Sequence, residues 1–507
     1  MKRLVGLVAC LALSAACGTT VPTAQLRSAG DDLLGGSPTR GPSGAALGGA
    51  PGAGSAIATD AGGAAPAAAV AGGSRVAGGT TSTTPGQAVA PGVGGIATTG
   101  RGWDAGHVYL GVMTQKDFQK TFASVGYSGI DPGDTQAQAQ AVVDELNRQG
   151  GVLGRQVVIR TFDVPTLSSA QNPDQAAQQA CTYFTQDAPV VAVVNIVATM
   201  DNANFRTCIA RHQVPLFDGA ISPQSKGEAA SLSPYFYSLA TPAWDTLAPV
   251  LVARLKAQGY FQGWDARLSQ VTTAAPVIGV LVADTTLGHA DEKAITGALK
   301  AAGYTHVVTF AYPPPGSEID GAVLNFEQNG VTHVISDNVE LVTFQIHAQS
   351  QKYAPRYGIN TYNAPSTNLE PLGPQSQQTG EVGVGWGPTL DVAAANDPGA
   401  FSSGVATCKA IMAKHRVSSS DRLAEVFAMI VCDAVRLGVQ GMISGQGLDG
   451  RSIFAGVSTV GPTFPSAFTF VSGLSAQRPL MPAAVRDIAY VPTCSCFRYA
   501  GSATHRM

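Results

Sequence analysis

The sequence predicts an α/β protein of two Rossmann-like lobes, each built on a parallel sheet, preceded by a disordered linker. Three observations carry this. Between 106 and 217, strand-type runs alternate with helical patterns. The same alternation restarts at 245 and continues to 351. Residues 17–103 carry too few large apolar side chains to offset the entropy of folding. Strand–helix alternation implies a parallel sheet with helices on both faces. Two such units over about 400 residues fit two lobes better than one large sheet.

The N-terminus reads as an export signal over 1–16. Lys2 and Arg3 are basic, Leu4 to Leu13 is a short apolar run, and Ser14-Ala15-Ala16 leads into Cys17. An apolar run of about ten residues is too short to span a bilayer. Small residues directly before a cysteine resemble a bacterial lipobox, which implies lipidation of Cys17, although Ser14 stands where that motif usually has leucine. The other reading is an ordinary cleaved signal with Cys17 incidental. No later stretch is expected to span a membrane. The linker of Ala, Gly, Pro and Thr over 17–103 is suited to let a folded body clear the envelope surface.

Within the body, Val108–Met113 is the first strand, and Ala139, Val142, Val143 and Leu146 mark one face of a helix that Gly150-Gly151 stops. Val157–Ile159 is a strand. Asn172-Pro173 opens a helix. Val190–Val197 reads as a strand buried on both faces, followed by a helix over 202–212 and a strand over Val214–Phe217. In the second unit, helices over 245–258, 291–302, 319–328 and 341–351 alternate with strands at 276–282, 307–310 and 331–335. Later the chain offers an apolar helix over 422–437 and a strand near Tyr490.

The segment Val143-Asp144-Glu145-Leu146-Asn147-Arg148-Gln149-Gly150-Gly151-Val152-Leu153-Gly154-Arg155 resembles the signature of type I periplasmic binding proteins, the branched-chain amino-acid and amide receptors of ABC transporters. Ile278 to Asp284, Leu287-Gly288-His289-Ala290 and Gly330 to Ile335 are similar to the opening of that family's second lobe. The likeness runs from about 106 to 395. It implies two lobes joined by three hinge crossovers, with lobe one at 106–242 plus 376–470 and lobe two at 243–375 plus 471–507. Pro and Gly cluster near the implied hinges, at Thr241-Pro242, Pro371 to Pro374 and Arg478-Pro479. It also implies a small-molecule ligand and ABC-transporter membrane subunits as partners; a monomer is expected, and the lipobox-like N-terminus implies attachment to the outer face of the cell membrane by a lipid anchor.

Ligands in parallel α/β sheets bind at the carboxyl ends of strands. That rule selects Thr114, Gln115, Ala198, Thr199, Ala220 and Ser222 from lobe one, and Trp244, Asp284, Leu287, Asp337 and Glu340 from lobe two. Thr199 and Ser222 at helix starts can hold an anion or serve only as caps. Trp244 can stack on an apolar or cationic group or belong to the core. Asp337 or Glu340 can pair with an ammonium. Amino-acid-binding members carry a serine-rich turn where this chain has Ala198-Thr199-Met200-Asp201-Asn202, and often an aromatic where it has Leu287. Asp201 facing the cleft would repel a carboxylate, so amides, sugar-like solutes and aromatic acids stay open beside amino acids.

The net charge of −3 gives no footprint for nucleic acid. No catalytic residue, metal or cofactor is assigned. Gly445-Gln446-Gly447-Leu448-Asp449-Gly450 matches a dinucleotide fingerprint but follows an apolar helix instead of a strand, and reads as a helix–helix loop. His289 is the one histidine near the expected cleft. Beyond Cys10 and Cys17 six cysteines remain, an even number in an exported chain. Cys181–Cys208 and Cys408–Cys432 are the preferred pairs, and Cys494 and Cys496 pair locally or stay free. A sensor ectodomain acting through a membrane partner and a cell-surface α/β hydrolase are the alternatives to a solute-binding role.

Overall fold

The computed structural model describes residues 97–507, apart from 125–130, 198–199, 201, 222–223, 314–315, 317 and 420. The signal segment, Cys17 and the linker up to 96 lie outside the described residues. Residues 97–103 do not continue a linker. Trp103 forms bridges with Gly100 and Val108, its Nε1 donates to Ala97 O at 3.1 Å, and it packs on the main apolar core. The described body therefore includes residues the composition assigned to the tether.

The first sheet has the order β2-β1-β3-β4-β5, all parallel, from β1 (His107–Thr114), β2 (Gln156–Asp163), β3 (Ala192–Asn195), β4 (Leu216–Asp218) and β5 (Phe236–Ser238). Its helices are α1 (Thr135–Arg148), α2 (Pro173–Thr182) and α3 (Ala203–Arg211). Asp134 caps α1 by accepting from Ala137 N at 2.9 Å. At its other end, Asn147 mimics a strand partner: its Nδ2 donates to Val157 O (2.9 Å) and its Oδ1 accepts from Val157 N (2.7 Å), locking the helix to β2. Gly151 completes the reversal with φ +69°, and a Cβ there would stand 2.0 Å from Arg155 O. Alternate residues of the strands feed opposite faces. Val108, Leu110 and Val112 join one core cluster, while Met113 and Val193 join another with Phe205.

Lobe two opens with α4 (Trp244–Ala257) and a small hairpin of β6 (Trp264–Asp265) and β7 (Gln270–Val271). Its sheet contains β8 (Ile278–Ala283), β9 (Val307–Tyr312), β10 (His333–Ser336), β11 (Arg356–Asn360), β12 (Val382–Gly385), β13 (Ala484–Val491) and β14 (Cys496–Tyr499), in the order β14-β13-β12-β11-β10-β8-β9, with β15 (His505–Arg506) beside β13. Helices α5 (Thr286–Ala301), α6 (Ile319–Gln328), α7 (Leu341–Ser350) and the short α8 (Gln375–Gln378) accompany it. Two expectations are corrected here. The segment 376–385 belongs to the second sheet, because β12 pairs parallel with β11; the passage back to lobe one follows Gly385. The sheet is mixed, since β13 runs antiparallel to β12, β14 and β15.

Helices α9 (Ser403–Lys414), α10 (Arg422–Ser444) and α11 (Gly450–Val460) return to the first lobe, where α10 packs on α1, β3 and β4. By length and composition α10 is apolar enough to cross a membrane, contrary to expectation. Yet 83% of its most apolar window is buried inside the protein, so its apolar surface serves the core. The Gly445–Gly450 stretch joins α10 to α11, where Asp449 caps the second helix.

Three passages connect the lobes, at 239–243, 386–402 and 464–483. The third also touches the first sheet, where Ser238 N donates to Pro479 O (2.9 Å) and Met481 N to Ser238 O (2.8 Å). Asp433 of α10 anchors its start by accepting from Ser466 Oγ (2.6 Å) and from the amides of Ala467 and Phe468.

The structure joins Cys181 to Cys208, Cys408 to Cys432, and Cys494 to Cys496. Cys408 and Cys432 are fully buried, 24 residues apart. Replacing both with serine is expected to cost about 3 kcal/mol in urea unfolding, because the cross-link restricts the unfolded chain. The Cys494–Cys496 pair, only 2 residues apart, should contribute less in the same measurement.

Candidate functional site

The carboxyl ends of the two sheets meet at the hinge. The first passage leaves β5, and Tyr362, two residues past the end of β11, donates its hydroxyl to Pro242 O in that passage at 2.6 Å. Trp386, which follows β12, donates Nε1 to Ala240 O at 2.8 Å. Trp244, the first residue of α4, stacks on Tyr362 with ring centres 5.5 Å apart and planes 19° apart, and Tyr362 meets Trp386 edge-on at 4.9 Å. All three aromatics are buried.

On the lobe-one side, Thr114 ends β1 and donates Oγ1 to Asp163 Oδ1 at 3.0 Å. Beside it opens a cavity of about 760 Å³, bordered by Gln115, Lys116 and the first turn of α1. Thr114 and Gln115 are thus brought together, and Gln115 Nε2 is a buried donor with no partner among the described residues. Adjacent strands end in Asn195 and Asp218, both fully buried. Asn195 Nδ2 donates to Asp218 Oδ1 at 3.1 Å, and so does the amide of Ala220. Burial pushes the Asp218 carboxyl up to about 6, with the Arg206 cation opposing the shift. Its Oδ2 has no partner among the described residues. Ala220 takes part through its backbone alone. Ala198, Thr199, Asp201 and Ser222 lie outside the described residues.

On the lobe-two side, Asp337 follows β10 and Asp291 projects from α5; each is buried with one carboxyl oxygen unpaired among the described residues. Burial, reinforced by the neighbouring Asp337 and Asp245, pushes Asp291 up to about 9. Burial and the charge of Glu340 push Asp337 well above the carboxylate range. Glu340 accepts from the Tyr312 hydroxyl at 3.1 Å and is also raised by burial. The Tyr362 phenol, raised first by burial, is raised further by Asp291 and Asp337, which places aromatic and acids in one low-dielectric environment. Trp244 Nε1 is a buried donor without a partner among the described residues.

Of the expected residues, Asp337 directly follows β10, Glu340 directly precedes α7, and Trp244 opens α4. Asp284 does not join the buried acids. It is more than half exposed and pairs with His289 Nε2 at 3.0 Å, while His289 Nδ1 reaches Glu292 at 3.3 Å. His289 is accordingly a surface histidine, held toward its charged form chiefly by Glu292 and then by Asp284. Leu287 is half-buried in the first turn of α5. The rule missed Asn195, Asp218, Asp291 and Tyr362. Asp218 was available as the residue directly after Val214–Phe217. Asp291 was available as the polar member of the buried α5 face formed with Gly288, Ile295 and Leu299.

A model of the periplasmic binding protein family matches residues 132–397, just over half of the chain. Among solved structures, a branched chain amino acid ABC transporter protein from Thermus thermophilus with bound valine is 12% identical, with a TM-score of 0.58, covering 79% of this chain and 96% of that one. A periplasmic binding protein type 1 from Bordetella pertussis Tohama I is 13% identical, with a TM-score of 0.57 and coverage of 78% and 99%. A fatty acid ABC transporter substrate-binding protein from Thermomonospora curvata is 14% identical, also at 0.57, with coverage of 81% and 95%. No curated protein matches the sequence. At these identities the structural likeness establishes the fold, and the family model establishes membership: the chain belongs to the periplasmic binding protein family, with the type I fold.

Proposed function

We propose that the protein is an extracytoplasmic solute-binding lipoprotein, anchored through Cys17, that captures a small polar solute carrying an amino or amide nitrogen and delivers it to an ABC importer. One observation carries the choice of solute. Asp291 and Asp337 are buried acids at the hinge side of lobe two, each with an oxygen that accepts from nothing among the described residues. Buried carboxyl oxygens without donors are costly, and a solute N–H or ammonium supplies the donor. The unpaired indole N–H of Trp244 offers the complementary donor to a solute oxygen. Ligand contacts to both lobes favour the closed arrangement, and membrane subunits then read the closed form.

A thermal-shift screen tests this with amino acids, amides, sugars, aromatic acids and fatty acids. A solute with an amino or amide group should raise the melting temperature by several degrees without turnover. Asp337→Asn should remove that response while leaving the unliganded protein folded. Stabilisation by fatty acids or sugars alone, or by no class, would defeat the reading.

A further inference from the structure

Lobe two buries a second polar cluster on the side away from the hinge. Glu381 directly precedes β12, so it sits at the amino end of that strand, opposite the carboxyl ends that converge on the first passage. Gln345 of α7 donates Nε2 to Glu381 Oε1. Gln378 of α8 donates Nε2 to Leu369 O and to Gly373 O. Glu381 is 1% exposed, and Gln345 and Gln378 are fully buried. Among the described residues, Glu381 Oε2, Gln345 Oε1 and Gln378 Oε1 all lack a hydrogen-bond partner. Gln345, which bonds Glu381, also meets the Gln378 side chain at Gly373. A Cβ built on Gly373 would lie 2.8 Å from Gln345 Oε1, 2.6 Å from Gln378 Nε2 and 2.7 Å from Leu369 O.

The orphaned atoms share one character: all three are oxygens, and one belongs to a carboxyl group. Neighbouring donors are committed elsewhere. The Tyr357 hydroxyl donates to Gln377 Oε1 at 2.6 Å, and the Tyr260 hydroxyl to Val334 O at 2.9 Å. Arg356 gives its guanidinium to the carbonyls of Gly259, Tyr260 and Gly380. Among the described residues Glu381 has no ion-pair partner. Protonating the carboxyl removes its charge, and its O–H can satisfy at most one of the two amide oxygens, so the other still lacks a donor. A cation bound by the oxygens resolves every member of the set at once. With one formal negative charge and otherwise neutral amide and carbonyl oxygens, the set suits a hard monovalent ion better than a divalent or soft metal.

We propose that Glu381, Gln345 and Gln378 form a structural site for an alkali cation, sodium or potassium, inside lobe two. The site fastens α7 and α8 to the start of β12, and it is independent of the solute cleft. The test uses the full exported chain at constant pH, melted in sodium, potassium or choline chloride at matched ionic strength. One alkali cation should raise the melting temperature by roughly 2–3 °C over choline, with a saturating concentration dependence. Glu381→Gln keeps the shape and removes the charge, and should abolish the difference; Gln378→Met serves as the second variant if the first does not fold. Equal melting in all three salts, or an undiminished response in the folded variants, would overturn the site.

Discussion

Replacing Trp244 with alanine is expected to lower the unfolding free energy by about 3–5 kcal/mol and to abolish solute capture. The indole is 1% exposed and packs on Tyr362, which is itself held by Trp386 and by its own bond to Pro242 O. Because Trp244 Nε1 donates to nothing among the described residues, the loss comes from buried area and stacking alone. The cavity would open where the first passage meets the carboxyl ends of lobe two, so the effect reaches beyond stability to the angle at which the lobes meet. Trp244→Phe keeps most of the apolar volume and an aromatic face, and should recover most of the stability. Urea denaturation with calorimetric binding on the same samples separates the two effects. A loss below about 1 kcal/mol for the alanine variant would remove Trp244 from the hinge core.

The lobes were legible because their elements follow simple periods. The α1 face and the apolar strands of both units carry 3.6- and 2-residue patterns that survive in the structure. What failed had local physical causes. Val190–Val197 looked like one long strand because every residue but Asn195 is apolar or small. In the structure the ladder ends at Asn195, whose side chain turns to Asp218. The prolines at 371–374 resembled a hinge, but Pro374 leads into α8, and the chain stays in lobe two through β12. The antiparallel edge arises from a tight turn through Pro492-Thr493-Cys494-Ser495, a hairpin signal that strand–helix counting passes over. In the candidate site the reading was uneven: Asp337 after β10 was selected, whereas Asn195 and Asp218 at strand ends and Asp291 on α5 were not. Asp291 lies on α5, and only its company on a buried face marks it.

Asp291 also gives the sharpest pH dependence. Its carboxyl ionises near 3.8 in the unfolded chain and is pushed up to about 9 in the fold. Between these values folding takes up a proton, so the group's contribution is most favourable below the lower value and declines as pH rises toward the upper one. Asp291→Asn stays neutral throughout. At pH 7.5 it should be more stable than the native chain by about 2–4 kcal/mol, with the difference vanishing toward pH 4. Asp337 and the Tyr362 phenol face the same group, so Asp291 and Asp337 titrate together and the melting curve reports the pair. Binding reverses the preference. A cationic nitrogen favours the ionised carboxyl, so solute capture at pH 7.5 should release about one proton and tighten as pH rises. Calorimetry in two buffers of different ionisation enthalpy reads that proton directly. In Asp291→Asn the release should fall and affinity should drop about tenfold to a hundredfold, the worth of one charge-assisted hydrogen bond. Tight binding without proton release in the native protein would mean that the solute's cation, if it has one, is held elsewhere. The stability gain of the asparagine variant would then stand as the cost of a buried acid with no role in capture.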